Sequence, residues 1–203
     1  MNLKRTLLAS FGSAVILVAG QVSPKAAAPG DFMEVGGLTS QPIGHYELCR
    51  RIPRECAAQP SNVRPVNLSP SLLDQLTVTT VGVNRAVRPV SDLDNYGSEE
   101  VWTYPEGSGD CEDFALEKRK RLSGKGLPLA NLLLTVVRKP DGEGHAVLTV
   151  RTDKGDFVLD NLDDRVRLWR STDYRYLKRQ DTKHAGRWVT IRAGQEPLVG
   201  AVD

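Results

Sequence analysis

Gly109-Asp110-Cys111-Glu112-Asp113-Phe114-Ala115 is the sharpest feature of the chain. Residues 91 to 109 before it are rich in Asp, Asn, Gly, Ser and Pro and read as a loop. Residues 110 to 121 read as the best helix of the chain. A cysteine therefore stands at a helix start, where partial positive charge and free N–H groups lower a thiol's pKa. The same N–H groups can help hold an oxyanion. The plain alternative is an inert buried cysteine with Asp110 as an ordinary cap.

Downstream of that helix the chain alternates short apolar runs with turns. Leu132 to Val137 reads as a strand and Lys139-Pro140-Asp141-Gly142 as a turn. Ala146 to Thr152 and Phe157 to Leu159 read as strands joined at Asp153-Lys154-Gly155-Asp156, an antiparallel hairpin. Arg187 to Arg192 reads as a last strand. Upstream, Ser69-Pro70 is a helix-start signal, and Leu72, Leu73, Leu76, Val83 and Val87 follow helical spacing. The Thr77 to Val81 run equally suits a strand. Residues 43 to 58 read as a short helix and turn, and residues 21 to 42, Pro/Gly/Ala-rich, as extended or mobile. One prominent helix followed by an antiparallel sheet is an α+β layout.

Two further residues complete a constellation with Cys111. His145 opens a strand in Gly144-His145-Ala146-Val147-Leu148, and Asp160 ends the next in Val158-Leu159-Asp160-Asn161-Leu162. Adjacent antiparallel strands can bring these side chains together. A carboxylate that accepts one imidazole N–H fixes the tautomer and leaves the other nitrogen for a thiol. Of the three histidines, His45 lies in the amino-terminal helix and His184 in a polar stretch, so neither has that setting.

The first twenty residues follow export logic. Lys4 and Arg5 precede the apolar or small run Thr6 to Gly20, and small residues recur at Ala26-Ala27-Ala28. This reads as a signal peptide. A membrane anchor is the rival, but spanning needs about 20 apolar residues. The expected organisation is a signal peptide and linker over 1–28 and a single domain over 29–203. Losing Lys4, Arg5 and Lys25 leaves 24 basic against 25 acidic residues, so the formal +2 belongs to the leader. That balance does not favour a nucleic-acid binder, which needs a concentrated basic face. At 26% charged and 40% hydrophobic, the composition is that of a globular chain, not a disordered one. Export favours disulfides. With three cysteines, Cys49 and Cys56, seven apart around Pro53, are expected to pair and leave Cys111 free. The alternative is three small buried thiols.

Trp102 with Pro105, the 109–115 block with Lys118-Arg119, and the blocks at 144–148 and 158–162 together resemble the bacterial transglutaminase-like cysteine peptidases. The exported LapG-type adhesin-processing proteases are among these. The resemblance runs from about residue 42 to 192. It implies a papain/transglutaminase-like α+β fold, with the nucleophile helix packed on an antiparallel sheet. It also implies Cys111 as nucleophile, His145 as base and Asp160 as orienter. The expected activity is a periplasmic cysteine endopeptidase cutting a large surface adhesin, with an inner-membrane regulatory receptor as a further expected partner and no membrane span after signal cleavage. Two alternatives stand beside it: an acyl transferase using the same triad, and a calcium-responsive binding module with a vestigial triad.

Asp110, Glu112 and Asp113 pose a problem, since like charges disfavour a thiolate. Either Asp110 caps the helix and Asp113 closes a capping arrangement, both turned away, or a cation sits there. Hard carboxylate oxygens suit calcium, and the resemblance implies calcium on Asp110 and Glu112. Asp92, Asp94, Glu99 and Glu100 are nearby acids without an assigned place. Trp102 either lines the cleft or plugs the core edge. Lys118-Arg119-Lys120-Arg121 reads as a solvated outer face, or else as a docking patch for an acidic partner. The arginines of residues 165–179, interleaved with Trp169, Tyr174 and Tyr176, read as packing and surface.

Overall fold

The computed structural model describes residue 28 and residues 30–192. The signal-peptide expectation therefore lies outside the described residues. In chain order the elements begin with β1 (Val35–Thr39), α1 (Ile43–Arg51), a 3-10 turn (Pro53–Cys56) and α2 (Pro70–Ala86). They continue with β2 (Arg88–Pro89), α3 (Asp92–Tyr96), β3 (Ser108–Gly109) and α4 (Cys111–Gly124). The rest is β4 (Leu132–Arg138), β5 (Gly144–Thr152), β6 (Gly155–Leu159), β7 (Arg167–Leu168), β8 (Arg175–Asp181) and β9 (His184–Ile191). Among the described residues, no helix is long and apolar enough to cross a membrane.

Seven strands form one sheet in the order β1-β9-β8-β4-β5-β6-β7, every neighbour antiparallel. Leu48, Leu76, Leu116 and Leu122 of the helices meet Leu134, Leu148, Val150 and Leu159 of the sheet in one core. A second cluster gathers Met33, Val137, Val147, Val158, Trp169 and Tyr176. Strand residues alternate between faces, so Val147 and Leu148 belong to opposite sides.

Ser69 caps α2 through its side chain, accepting from Leu72 N–H at 3.1 Å. Proline at the first turn then starts the helix. The Thr77 to Val81 run continues as helix because Thr79, Thr80 and Val83 bury on its inner side, with Thr80 Oγ1 donating to the Leu76 carbonyl. The expectation of an extended or mobile 21–42 is corrected in part. Val35–Thr39 pairs with β9, with a bulge between Val35 and Leu38 at the two glycines. The 91–109 segment holds one short helix, α3, closed by Gly97 in the left-handed region at φ 69. Cys49 and Cys56 form the disulfide and Cys111 is free.

Candidate active site

Cys111 is the first residue of α4 and follows Asp110, whose backbone is extended. Its sulfur accepts the Ala146 N–H of β5 at 3.3 Å and donates to Glu112 Oε2 at 3.2 Å. The thiol faces a cleft of about 630 Å³ lined by Trp102, Asp110, Glu112, His145, Ala146 and Lys178, among others. Burial pushes the Cys111 pKa well up, and the neighbouring Glu112 carboxyl adds to it.

His145 and Asp160 meet through sheet register. Leu148 pairs with Leu159 in β5 and β6, so the next step of the register sets Asp160 opposite Val147. His145, two residues from Val147, shares its face as a diagonal neighbour. His145 Nε2 lies 2.8 Å from Asp160 Oδ1, and both side chains are buried. Leu162 N–H donates to the same oxygen at 3.0 Å, and the Tyr174 hydroxyl donates to Oδ2 at 2.6 Å. Burial works to raise the Asp160 pKa, but these donors, His145 first, outweigh it and hold the carboxyl below its ordinary value. The structure thus gathers Cys111, His145 and Asp160 at one end of the sheet.

Asp110, Cys111 and Glu112 offer ligand atoms within 4.8 Å of one another, and so do Asp92, Asp110 and Asp113. Of the capping alternative, the part assigned to Asp110 is absent. Asp110 makes no side-chain cap hydrogen bond, and Asp113 turns to accept Thr103 N–H at 2.8 Å. Asp92 Oδ1, Asp110 Oδ1 and Asp113 Oδ2 are buried without a hydrogen-bond partner. Burial and the Asp110 carboxyl push Glu112 up to about 10, and burial pushes Asp113 up to about 7. Orphaned, clustered carboxylate oxygens are the donor type a hard cation such as calcium takes, so the residues fit that ion.

The profile of the bacterial transglutaminase-like cysteine proteinases matches residues 35–196. The chain belongs to this family. It is a cysteine peptidase with a transglutaminase-like fold. Solved structures of Legionella pneumophila LapG are similar. The calcium-bound form is 23% identical, covers 66% of this chain and 77% of that one, and superposes with a TM-score of 0.52. The EGTA-treated form is 24% identical, with 62% and 70% covered and a TM-score of 0.51. No functionally curated protein matches the chain.

Around the peptidase's cleft, several side chains depart from expectation. The basic run is not a solvated face. Lys118 and Arg119 are each 1% exposed, and only Lys120 and Arg121 reach solvent. Arg119 is neutralised by Glu55 at 2.7 Å and caps the Leu132 carbonyl. Lys118 lies 5.5 Å over the Phe114 ring, and burial lowers its pKa to about 7. Trp102 serves both proposed roles: it is 3% exposed within the core and also lines the cleft. Gly44 of α1 makes room for it, since a Cβ there would collide with the indole. His45 is a buried hub with its pKa lowered to about 3 by burial, accepting the Trp188 indole N–H at 3.2 Å. Tyr174, read as packing and surface, instead touches Asp160. Its nearness to Asp160 depends on β8 returning beside β4, which no local pattern announces.

Proposed function

We propose that the chain is an exported cysteine endopeptidase whose triad is Cys111, His145 and Asp160. The observation that carries this is the buried 2.8 Å contact of His145 Nε2 with Asp160 Oδ1, in a residue that lines the same cleft as the Cys111 thiol. Asp160 accepts the Nε2 proton, leaving Nδ1 as the basic nitrogen. Nδ1 takes the thiol proton as sulfur attacks a peptide carbonyl, and gives it to the leaving amine as the C–N bond breaks. The α4 amides at its amino end, without intrahelical partners, are available to the oxyanion. Water, deprotonated by His145, then adds to the thioester. The intermediate collapses to a carboxylic acid and returns the sulfur.

Calcium would be held by Asp110 and Glu112, with the orphaned oxygens of Asp92 and Asp113 beside them. When bound it supplies positive charge that offsets the carboxylates around the thiol. The mature domain spans 29–203 and works in the periplasm after loss of the leader. Its substrate is a surface protein of the adhesin kind, and an inner-membrane receptor is its regulator.

The test has two arms. A thiol-selective probe should label Cys111 at neutral pH, with labelling lost in His145→Ala. Exported proteins from a wild-type strain and a Cys111→Ala strain should differ by one shortened surface protein. Identical protein sets would overturn the peptidase substrate reading, and amine incorporation into that protein would replace hydrolysis by acyl transfer.

A further inference from the structure

Asp160 carries two carboxylate oxygens, and they have different tasks. Oδ1 takes His145 Nε2 at 2.8 Å and Leu162 N–H at 3.0 Å. Oδ2 takes the hydroxyl of Tyr174 at 2.6 Å, a charge-assisted bond and so a strong one. Tyr174 also meets the imidazole directly. The two rings are edge-on, with centroids 5.5 Å apart and planes at 61°. One side chain therefore grips both members of the pair. Its hydroxyl stops the carboxylate rotating about its own bond, and its ring bounds the imidazole.

On its other side lies a cavity of about 150 Å³, lined by Tyr174, Asp160, Asp163 and Arg165, among others. Tyr174 is not itself in the hydrophobic core, where it only borders the Trp169–Tyr176 cluster. Core filling does not account for a hydroxyl aimed at Asp160.

We propose that Tyr174 is a positioning residue of the peptidase, holding Asp160 in the rotamer that keeps His145 aligned for Cys111. This rests on the triad proposed above. Tyr174 is not among the residues that line the cleft; the side chains it meets are the carboxylate of Asp160 and the ring of His145. It acts through Asp160.

Alkylation of Cys111 by iodoacetamide tests this without a known substrate. Rates are compared for wild type, Tyr174→Phe, His145→Ala, Asp160→Ala and Tyr174→Phe in the Asp160→Ala background, with melting temperatures for each. Tyr174→Phe keeps the ring and loses only the hydroxyl. It should slow alkylation about tenfold, the scale of one hydrogen bond to a charged group, while the protein stays folded at the assay temperature. In the Asp160→Ala background the same substitution should add nothing, because coupled residues are non-additive. The low-field N–H resonance of the His145 imidazole should also move in Tyr174→Phe. A wild-type alkylation rate in Tyr174→Phe, or an equal slowing with and without Asp160, overturns the Tyr174 role while the triad stands. A wild-type rate in His145→Ala overturns the triad and the positioning role with it.

Discussion

Cys111 sits in company that opposes its ionisation: a buried thiol, with Glu112 hydrogen-bonded to the sulfur. His145 is the proposed base that counters this, so substitutions in the proposed triad should differ in severity. Cys111→Ala abolishes cleavage and leaves the melting temperature unchanged. His145→Ala costs about 10²–10⁴-fold, the usual range for a general base. Asp160→Asn keeps part of the activity, since Asp160 orients and does not react. Assay of the three variants on the natural substrate checks the order, and residual cleavage by Cys111→Ala would remove the nucleophile assignment. Lys118 gives a second prediction at this scale. Its pKa falls from 10.5 to about 7 in the fold, with burial as the cause. Between those values the unfolded chain holds a proton that the folded chain lacks, so its contribution makes stability rise with pH across that window. Lys118→Met should flatten the dependence of melting temperature on pH between about 7 and 10 and raise it at neutral pH. An unchanged slope would show that Lys118 keeps its proton.

Helix α1, the 3-10 turn and α4 are tied by two cross-links. The Cys49–Cys56 disulfide closes the first pair, and Glu55 on that turn neutralises Arg119, whose side chain is 2% exposed. Thiol counting in denaturant should find one free thiol per chain. Replacing both bridge cysteines by serine should lower stability by about 2–3 kcal/mol, the loop-closure scale for so short a loop. Glu55→Gln should be at least as damaging, about 3–5 kcal/mol, because it leaves a buried guanidinium without its counter-charge. Urea denaturation of each variant measures both effects. A Glu55→Gln variant as stable as wild type would mean that the Arg119 charge is compensated elsewhere. The same pair explains why the basic run misleads as sequence. Four consecutive cations circle a helix, so two of them must face inward wherever that helix is covered on more than one side.

Across the whole molecule, the clustered acids beside the thiol come from separate segments: Asp92 from α3, and Asp110, Glu112 and Asp113 from the start of α4. A calcium ion there would join them, and a ligand that binds only the folded state stabilises it. Calcium should raise the melting temperature, and a chelator should lower both melting temperature and activity. Magnesium should substitute poorly because of its stricter octahedral geometry. Asp110→Ala and Glu112→Ala should each lose the calcium response. Calorimetric titration of metal-stripped protein checks binding directly. No binding heat, with activity unchanged in chelator, would rule the site out.

Features legible in the linear chain are those that neighbouring residues can decide. Ser69-Pro70 starts a helix because the capping oxygen and proline act within one turn. The 144–160 hairpin follows from two apolar runs around Asp153-Lys154-Gly155-Asp156, and its register brings His145 and Asp160 onto one face. The pairing of Cys49 with Cys56 needs only a short loop that turns. The remaining features depend on segments far apart in the chain. Strand β1 needs β9 to pair with, 145 or more residues away. The burial of Lys118 and Arg119 needs the covering of α4 by α2, the sheet and the Glu55 turn. The meeting of Tyr174 with Asp160 requires the chain to leave β7 and return. The unpartnered oxygens of Asp92 and Asp113 come together only when α3 lies beside the start of α4. In each case the local residues permit several environments, and the free energy that selects one comes from burying surfaces that only the closed fold brings together.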